Sequence, residues 1–265
     1  MSLLRQELEC ALHDIVRAVL PEKNVAVAFS GGVDSTLLAV ICRDLGKQVT
    51  LVTVGFPDSH DVSFSKEIAS KIGLPHKVVE LDSLDFKKDL AHVLQTITCG
   101  NTSHIENCIA YYYIAQAAGK LGLSVVASAN GCDELFCGYN GYRAVYDKGE
   151  SAIMEYMESK IKNELVLVQE ISAVAAEFSV QVRQPFLSTE FVEFAKKVPI
   201  DQKIRGANDM VRKHILRQAA LSLGVPEESA LKPKKALQYG SYIHKNYKKS
   251  PSARTDGKEM KKSVV

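Results

Sequence analysis

The sequence predicts an α/β fold, with a parallel doubly wound sheet followed by a C-terminal helical portion. Short apolar runs rich in β-branched residues alternate with amphipathic segments as far as residue 127. This alternation is typical of parallel sheets, because each crossover helix returns the chain to the end where the next strand begins. Beyond Gly141 the strand signals fade and amphipathic helices predominate.

The first predicted elements are a helix, a buried strand and a second helix. Apolar residues recur at three- and four-residue steps over 3–20, and Pro21 ends this helix. Residues 25–29 form a compact apolar run of strand length. A helix over 34–45 follows and ends at Gly46.

The same reasoning assigns the rest of the chain from hydrophobic period and breaker residues. The remaining predicted elements are a strand at 49–54, a helix at 61–72, a strand at 77–81, helices across 86–121, a strand at 124–127, and helices at 153–162, 187–197 and 211–223.

The composition is that of an ordinary globular protein, with 46% hydrophobic and 24% charged residues. It excludes a disordered, collagen-like or coiled-coil protein. No apolar run approaches the ~20 residues of a membrane span, and acidic residues come too early for a signal peptide, so we expect a cytoplasmic protein. Six cysteines without a CxxC pair and seven histidines without HExxH argue against disulfide and zinc sites.

Charge is unevenly distributed along the chain. Residues 245–265 contain seven basic and two acidic residues, and they have few apolar side chains and no clear period. We expect a solvated, disordered tail, with nucleic-acid or partner binding as the alternative. The predicted organisation is therefore an N-terminal helix (1–23), an α/β domain (24–244) and a basic tail (245–265).

The sequence SGGVDS directly after the first strand predicts a phosphate-binding loop. Paired glycines let the backbone approach an anion, and the following helix directs free N–H groups and its positive dipole end at the same place. Neither the Walker loop nor the dinucleotide-binding GxGxxG motif is present. A simple tight turn is the alternative, but it leaves the hydroxyls and the carboxylate unexplained. The candidate residues are Ser30, Gly31, Gly32, Asp34, Ser35 and Thr36.

This loop resembles the signature of the ATP pyrophosphatases, a family that includes asparagine synthetase, GMP synthetase, NAD synthetase and several tRNA-thiolating enzymes. The resemblance implies a sheet of the adenine nucleotide alpha hydrolase (PP-loop) type. It also implies that the loop holds the pyrophosphate of ATP while an oxygen nucleophile attacks the α-phosphorus, and that Asp34 helps to hold Mg²⁺. By the same resemblance, adenine and ribose contacts come from Phe29, Val54, Ser128 and Ala129.

A second acidic motif, GCDELFCGY at 131–139, follows the strand at 124–127. Ligands bind at the carboxyl ends of parallel strands, so this loop can face SGGVDS across one crevice. Mg²⁺ prefers carboxylate and phosphate oxygens, which Asp34 and Asp133 would offer together with ATP. The motif is similar to the GxGxDELFGGY segment of asparagine synthetases, which implies a metal-binding role for Asp133. Two acids that favour a helix N-terminus are the alternative.

Later segments extend the resemblance to about residue 244. RQPFL at 183–187 resembles the family's RxPFLD, while RKHILR at 212–217 and KPKKA at 232–236 resemble KxxLR and RxKxA. In the family, a lysine from the last segment reaches the α- and β-phosphates, which implies Lys235 and next Lys234 as catalytic residues. Such a lysine would neutralise charge on the leaving pyrophosphate; a solvated lysine pair is the alternative.

The chain departs from the family pattern at three positions. Asn130 stands where the family has an acid implicated in acyl-adenylate chemistry. Asparagine cannot accept a proton as a base, although as a candidate catalytic residue it can donate hydrogen bonds to an oxyanion. Ser188 replaces the aspartate of PFLD, and Gln181 replaces a glutamate. The substrate is therefore left open.

Two cysteines and one histidine complete the candidate set. We interpret Cys132 and Cys137, which flank Asp133, as small buried residues, with a thiol for sulfur transfer as the alternative. His104 lies in the region that contacts the acceptor substrate in relatives, and it is a candidate substrate contact.

These observations predict an ATP- and Mg²⁺-dependent ligase that adenylates a carboxylate such as aspartate and transfers it to ammonia or an amine. The chain begins Met-Ser rather than with the cysteine nucleophile of a glutaminase, so we expect free ammonia or a separate glutaminase subunit as the nitrogen source. A homodimer is an open possibility, and no membrane partner is expected. The alternatives are a tRNA- or carrier-modifying ATP pyrophosphatase and a nucleotide-binding regulatory relative that has lost its chemistry.

Overall fold

The computed structural model describes residues 2–233 and 237–250. Its centre is a five-stranded, entirely parallel sheet in the order β3-β2-β1-β4-β5. This confirms the predicted α/β class. The strands are β1 Asn24–Ala28, β2 Gln48–Gly55, β3 His76–Glu80, β4 Val125–Ala127 and β5 Gln181–Arg183.

Helices connect and cover these strands. The α-helices are α1 Leu3–Val19, α2 Val33–Asp44, α3 His60–Ile72, α4 Ser83–Thr96, α5 Thr102–Lys120, α6 Cys132–Leu135, α7 Asn140–Val145, α8 Glu150–Ala176, α9 Thr189–Lys197, α10 His214–Ser222, α11 Glu227–Ala230, α12 Leu237–Gly240 and α13 Ile243–Tyr247. Short 3₁₀ turns cover Tyr146–Lys148, Pro185–Leu187 and Ile200–Gln202.

The period-two pattern of the strands produces two hydrophobic cores, one on each face of the sheet. In β1, Val25 and Val27 face the core that contains α1, α2 and α10, whereas Ala26 faces the core that contains α5. Strand order reverses between β1 and β4, because β2 and β3 lie on one side of β1 while β4 and β5 lie on the other. Such a reversal opens a crevice at the carboxyl ends of the two central strands.

Helix α1 belongs to the first core. Leu8, Leu12 and Val16 are fully buried among side chains of that core, and α1 packs against α2, α9 and α10. The amphipathic period seen in the sequence therefore describes a helix that covers the sheet domain.

Strand β5 is a difference from the predicted helical C-terminal portion. Gln181–Arg183 pairs in parallel with β4, with Val182 opposite Val126. Three residues with one central valine produce no period-two signal, and an edge strand needs only one partner. The strand is formed by tertiary pairing rather than by local preference.

Two helices also differ from the predictions in where they begin or end. The helix predicted at 153–162 is the 27-residue α8, and the helix predicted to begin at 211 begins at His214. Arg212 and Lys213 both adopt left-handed backbone conformations, with φ of 52° and 55°, which delays α10. Within the described ranges, no helix combines the length and apolarity needed to cross a membrane.

Candidate functional site

A cavity opens at the carboxyl ends of β1 and β4, where the strand order reverses. It has a volume of about 540 Å³ and is lined by the loops that follow these strands, by α5 and α8, and by Lys232 and Pro233. This position and size are typical of small-molecule sites in doubly wound sheets.

The predicted phosphate-binding loop forms one wall of this cavity. Gly31 has a left-handed φ of 75°, and a Cβ there would lie 2.9 Å from the Phe64 ring. The Ser30 N–H donates to Ser35 Oγ at 3.3 Å, and Ser35 Oγ donates to the Gly32 carbonyl at 3.2 Å. The loop is thus held by its own hydroxyls at the N-terminus of α2, where backbone N–H groups are available to an anion.

Two of the predicted loop residues do not line the cavity. Ser30, Gly32, Asp34 and Ser35 line it, whereas Gly31 and Thr36 do not. Thr36 is fully buried, and its hydroxyl accepts a hydrogen bond from Ser229 Oγ at 2.9 Å. The position of Thr36, one helical residue after Ser35, turns its hydroxyl toward α11, and the predicted phosphate contact of Thr36 stays a prediction.

The residues predicted to contact adenine and ribose belong to the same cavity. Phe29, Val54, Ser128 and Ala129 all line it, together with apolar side chains at the ends of β1 and β2. The Ser128 N–H donates to the Arg183 carbonyl at 2.9 Å, so β5 supports this loop. The geometry is compatible with an apolar slot for a planar base next to the phosphate loop.

The second acidic motif closes the cavity opposite the phosphate loop. Glu134 is 3% exposed and accepts hydrogen bonds from the Gly131 N–H at 3.1 Å and the Tyr139 hydroxyl at 2.5 Å. Burial, with Glu164 and Asp133 nearby, raises the pKa of the Glu134 carboxyl to about 8. Glu134 therefore stabilises the acidic loop from within, whereas Asp133 faces the SGGVDS loop.

A buried lysine joins the two predicted metal carboxylates. Lys213 Nζ lies 2.5 Å from Asp34 Oδ2 and 2.6 Å from Asp133 Oδ1, and the lysine is 1% exposed. Burial opposes its charge, but the carboxylates outweigh burial and hold the pKa of Lys213 above its usual value. The predicted meeting of Asp34 and Asp133 across the crevice is thus seen, with an ammonium between them.

The turn before Lys213 is built to present this ammonium. Asp209 accepts hydrogen bonds from the N–H groups of Arg205, Val211 and Arg212 at 2.9–3.0 Å, and it pairs with His214 Nε2 at 2.6 Å. Burial opposes the charge of Asp209, but these donors lower the pKa of its carboxyl to about 2. These hydrogen bonds offset the conformational cost of the left-handed backbone at Arg212 and Lys213. Backbone strain of this kind is concentrated at functional sites.

The carboxylates fit a magnesium ion that brings phosphate oxygens with it. Asp34 Oδ1 is buried and accepts no hydrogen bond from any described residue, so it has capacity for a further cation. Among those residues no cluster of three or more His, Cys, Asp or Glu side chains surrounds the site. An ion held by Asp34 and Asp133 would therefore complete its shell with ligand oxygens and water, as Mg²⁺ commonly does.

The lysine-rich segment begins next to this turn. Arg217 is 3% exposed and donates to the Arg212 carbonyl at 2.8 Å and to the Lys232 carbonyl at 3.0 Å. It thereby connects the Lys213 turn to the chain that leads into residues 234–236. Lys234 and Lys235 lie outside the described residues, and their catalytic role stays a prediction.

Polar side chains of α5 and α8 line another part of the cavity, and they include the charged Lys160 and Glu164 of α8. His104 is 4% exposed, and neither ring nitrogen forms a hydrogen bond of good geometry with a described residue, although the Asn163 side chain lies close. Burial, which outweighs the opposing influence of Asn163 and Glu170, lowers the pKa of His104. Burial therefore favours the neutral form of the imidazole, which lines the cavity.

Asn130 lines the same cavity and directly follows Ser128 and Ala129. Its carbonyl oxygen accepts hydrogen bonds from the Tyr111 hydroxyl at 2.9 Å and from Ser128 Oγ. These two donors orient the amide, so that Nδ2 donates to Glu164 Oε1 on α8. Asn130, which cannot itself act as a base, thus bonds to the carboxylate of Glu164, a residue that no sequence motif indicated.

The two cysteines of the acidic motif are structural. Cys132 and Cys137 are fully buried, and neither lines the cavity. Burial raises the pKa of the Cys132 thiol well above its usual range and that of Cys137 to about 12. Both remain protonated and inaccessible at neutral pH, which supports the interpretation as small buried residues.

Comparison with known proteins establishes the family. A family profile described as "Asparagine synthase" matches residues 4–163 and 146–256 of this chain. The chain belongs to the asparagine synthase family.

Relatives in this family are distant and longer. A glutamine-hydrolysing asparagine synthetase homologue of Methanocaldococcus jannaschii is 29% identical over 89% of this chain and 49% of its own length. Asparagine synthetase B of Escherichia coli is 26% identical over 81% of this chain and 41% of its own length. The chain therefore spans about half of these relatives or less.

Among solved structures, NMN synthetase from Francisella tularensis has a TM-score of 0.49 at 14% identity, over 96% of this chain and 83% of its own.

Two site residues of this asparagine synthase family member were not predicted from the sequence. Lys213 lies in the RKHILR segment, where the resemblance carried no role for it. Glu164 lies on the apolar stripe of α8, three residues after Ile161 and three before Leu167. An acid inside a buried stripe is the signal that would have indicated Glu164, whereas the position of Lys213 depends on a turn that no local pattern predicts.

Proposed function

We propose that this chain is an ATP- and Mg²⁺-dependent ligase that activates a substrate carboxylate as an acyl-adenylate and transfers the acyl group to ammonia or an amine. The observation that carries the proposal is the meeting of the SGGVDS loop, Asp34 and Asp133 around one cavity, which also holds an apolar slot and a separate polar end. Family membership supports the same reaction class.

The residues divide the cavity by chemistry. Ser30, Gly32 and Ser35 offer donors to the β- and γ-phosphates, and Asp34 and Asp133 would hold Mg²⁺, which screens the charge of the leaving pyrophosphate. The ammonium of Lys213 holds the two carboxylates in place. Lys234 and Lys235 follow Pro233, which lines the same cavity, and we propose that one of them reaches the phosphates.

The substrate carboxylate would approach from the polar end. His104 lines that part of the cavity, and a neutral imidazole can both donate and accept a hydrogen bond. We propose that His104 contacts the acid substrate, with aspartate as the first candidate on the basis of the relatives' names. The nitrogen would arrive as ammonia or as an amine. For the alternative sulfur-transfer reaction, the buried thiols offer no support.

A pyrophosphate-release assay tests this function. The full chain is incubated with ATP, Mg²⁺ and ammonium chloride, with L-aspartate first and then with the other proteinogenic amino acids. We expect pyrophosphate and AMP in equal amounts, dependent on one acid and on Mg²⁺. Release that requires tRNA instead of an acid would support the alternative enzyme, and ATP binding without turnover would support a regulatory relative.

Matched variants test the metal assignment in the same assay. Asp133→Asn and Asp34→Asn should each lower Mg²⁺-dependent turnover by roughly 10²-fold or more, since a preorganised charge at the leaving group is lost. Asp44→Asn is the control, because Asp44 is an exposed acid at the other end of α2. Unchanged turnover in Asp133→Asn would refute the metal role.

A further inference from the structure

The cationic side chains that line the cavity differ in their partners. Lys213 pairs with Asp34 and Asp133, and Arg217 donates to backbone carbonyls of the neighbouring turns. Lys160 on α8 lines the same cavity and is half-buried, yet it forms neither an ion pair nor a hydrogen bond with any residue that the structure describes. Its charge therefore points to an anionic ligand as the partner.

Two aromatic rings hold the ammonium of Lys160. Its Nζ lies 5.0 Å from the ring centroid of Tyr156 and 5.9 Å from that of Tyr139. Cation–π contacts at such distances attract an ammonium without neutralising its charge. The rings therefore fix the direction of the lysine and leave its N–H donors for a ligand.

The two rings are themselves held by their surroundings. The Tyr139 hydroxyl donates to Glu134, and the Tyr156 ring packs edge-on against Tyr142 with 4.8 Å between the ring centroids. A Cβ at Gly141 would lie 2.0 Å from the Tyr156 hydroxyl oxygen, so α7 approaches this ring closely. The position of the ammonium is thus built into the acidic loop and α7, which lowers the cost of ordering a long side chain when a ligand binds.

The neighbours of Lys160 associate it with the acid substrate rather than with ATP. Lys160 and Asn163 both line the cavity, and three residues along a helix separate side chains of one face. The Asn163 side chain lies close to His104 of α5, the residue proposed above to contact the acid. The phosphates of ATP, by contrast, have the N–H groups and hydroxyls of the SGGVDS loop at the start of α2.

We propose that Lys160 determines substrate specificity: its ammonium binds an anionic group of the acid substrate other than the carboxylate that is adenylated. This deepens the proposed ligase function and rests on it. The substrate class is then an acid with two anionic groups, of which one attacks the α-phosphorus of ATP and the other pairs with Lys160. An acid with a single carboxylate leaves the ammonium without this partner and binds less tightly.

ATP–pyrophosphate exchange tests this assignment, because it measures adenylation and needs no nitrogen donor. The full chain is assayed with Mg²⁺ and with pairs of acids that differ by one carboxylate: L-aspartate and β-alanine, L-glutamate and 4-aminobutyrate, succinate and propionate. We expect a pair in which the acid with two carboxylates is preferred in kcat/KM by roughly 10- to 100-fold, the usual contribution of a charge-assisted hydrogen bond.

Neutral variants of the lysine should remove this preference. In Lys160→Met the ratio of kcat/KM within the pair should fall by roughly 10- to 100-fold, through a higher KM for the acid with two carboxylates, while KM for ATP stays the same. Lys160→Gln is a second neutral variant in case the methionine impairs folding, and Lys160→Arg should keep most of the preference. Lys162→Met is the matched control, because Lys162 is an exposed lysine of the same helix that does not line the cavity.

The contrary results are distinct. An unchanged ratio in both neutral variants would overturn the role of Lys160, and so would a higher KM for ATP with an unchanged ratio, which would place the lysine at the phosphates. Wild-type preference for the acids with one carboxylate would overturn the substrate class and leave the ligase function standing. If no acid supports exchange by the wild-type chain, the ligase function itself fails, and the role of Lys160 fails with it.

Discussion

At the residue scale, the Lys213 ammonium allows two carboxylates to approach each other at a buried edge of the sheet. Its Nζ lies within 2.6 Å of both Asp34 and Asp133, and all three side chains are largely buried. Removal of one partner from a buried ion pair is costly, because the remaining charge has neither water nor a counter-ion. Two carboxylates left together would also repel each other.

Replacement of this lysine should therefore destabilise the fold in a manner that Mg²⁺ corrects. We expect Lys213→Met to lower the free energy of unfolding by about 3–5 kcal/mol. Added Mg²⁺ should restore more stability to the variant than to wild type, because it can take the place of the missing charge. Urea denaturation with and without Mg²⁺ measures both effects, with Lys87→Met on the exposed face of α4 as control. Equal stability of the variant and wild type would contradict the ion-pair argument.

A second buried lysine makes stability depend on pH. Lys203 is fully buried, and its Nζ donates to the Ala195 carbonyl at 2.7 Å and lies 6.0 Å from the Phe136 ring centroid. Burial, against weaker opposing effects of Cys137 and Glu150, lowers the pKa of Lys203 to about 8. The unfolded chain therefore holds this proton up to higher pH than the folded chain does.

The sign of the effect follows from that difference. Lys203 should contribute increasing stability as pH rises from about 8 toward 10.5, because the folded protein no longer carries a buried charge. Lys203→Met removes this titratable group, so the free energy of unfolding of the variant should not rise across the window as that of wild type does. The difference between variant and wild type should therefore change by at most about 3 kcal/mol, in favour of wild type. Denaturation midpoints at several pH values measure the difference. A constant difference would show that Lys203 does not titrate there.

At the element scale, the acidic loop and the lysine turn interlock at one glycine. Gly138 donates its N–H to the Asp133 carbonyl at 2.7 Å, and its carbonyl accepts from Arg212 Nε at 3.1 Å. A Cβ at Gly138 would lie 1.9 Å from Asp133 Oδ1 and 2.4 Å from Lys213 Cε. The absence of a side chain there allows the two elements to bring their charges together.

A methyl group at this position should disturb the site strongly. Gly138→Ala displaces Asp133, Lys213 or both, so we expect turnover to fall by about 10²-fold, as misplacement by an ångström commonly causes. Gly100→Ala is the control, since no atom lies within 4 Å of a Cβ at that position. Steady-state pyrophosphate release compares the two. Comparable activity would mean that the loop has space which the structure does not show.

At the scale of the whole molecule, α1 and α8 integrate the domain. Helix α1 contributes three fully buried side chains to one core, and α8 passes from that core to the other. The site lies where these two cores meet at the edge of the sheet. Stability of either core should therefore affect the whole cooperative unit.

The N-terminal helix offers a direct test of this integration. Leu12→Ala should lower the free energy of unfolding by roughly 2–5 kcal/mol, the usual cost of a cavity in a core. Leu3→Ala on the same helix should have little effect, because Leu3 is 70% exposed. Chemical denaturation with a single transition is expected for both variants. If Leu12→Ala instead gives two transitions, α1 unfolds separately from the sheet domain.

The parts of the site that could be predicted are those contained in one short segment. The loop at 30–35 places hydroxyls, glycines and Asp34 between a strand and a helix, and Asp133 follows the next central strand, so local order was sufficient. Glu164 and Lys213 come from segments far along the chain. Their roles depend on where α8 crosses the sheet and on a left-handed turn, neither of which has a local period.

The sequence by itself determined the alternation of strands and helices and the places of the SGGVDS loop and of Asp34 and Asp133 in that order, because hydrophobic period and glycine conformational freedom act over a few residues. Only the tertiary structure decided that Thr36 turns away from the cavity, that β5 joins the sheet, and that Lys213 joins Asp34 to Asp133. It also decided that Asn130 points to Glu164. The physical reason is that burial and long-range contact, rather than residue type, determine which charges meet.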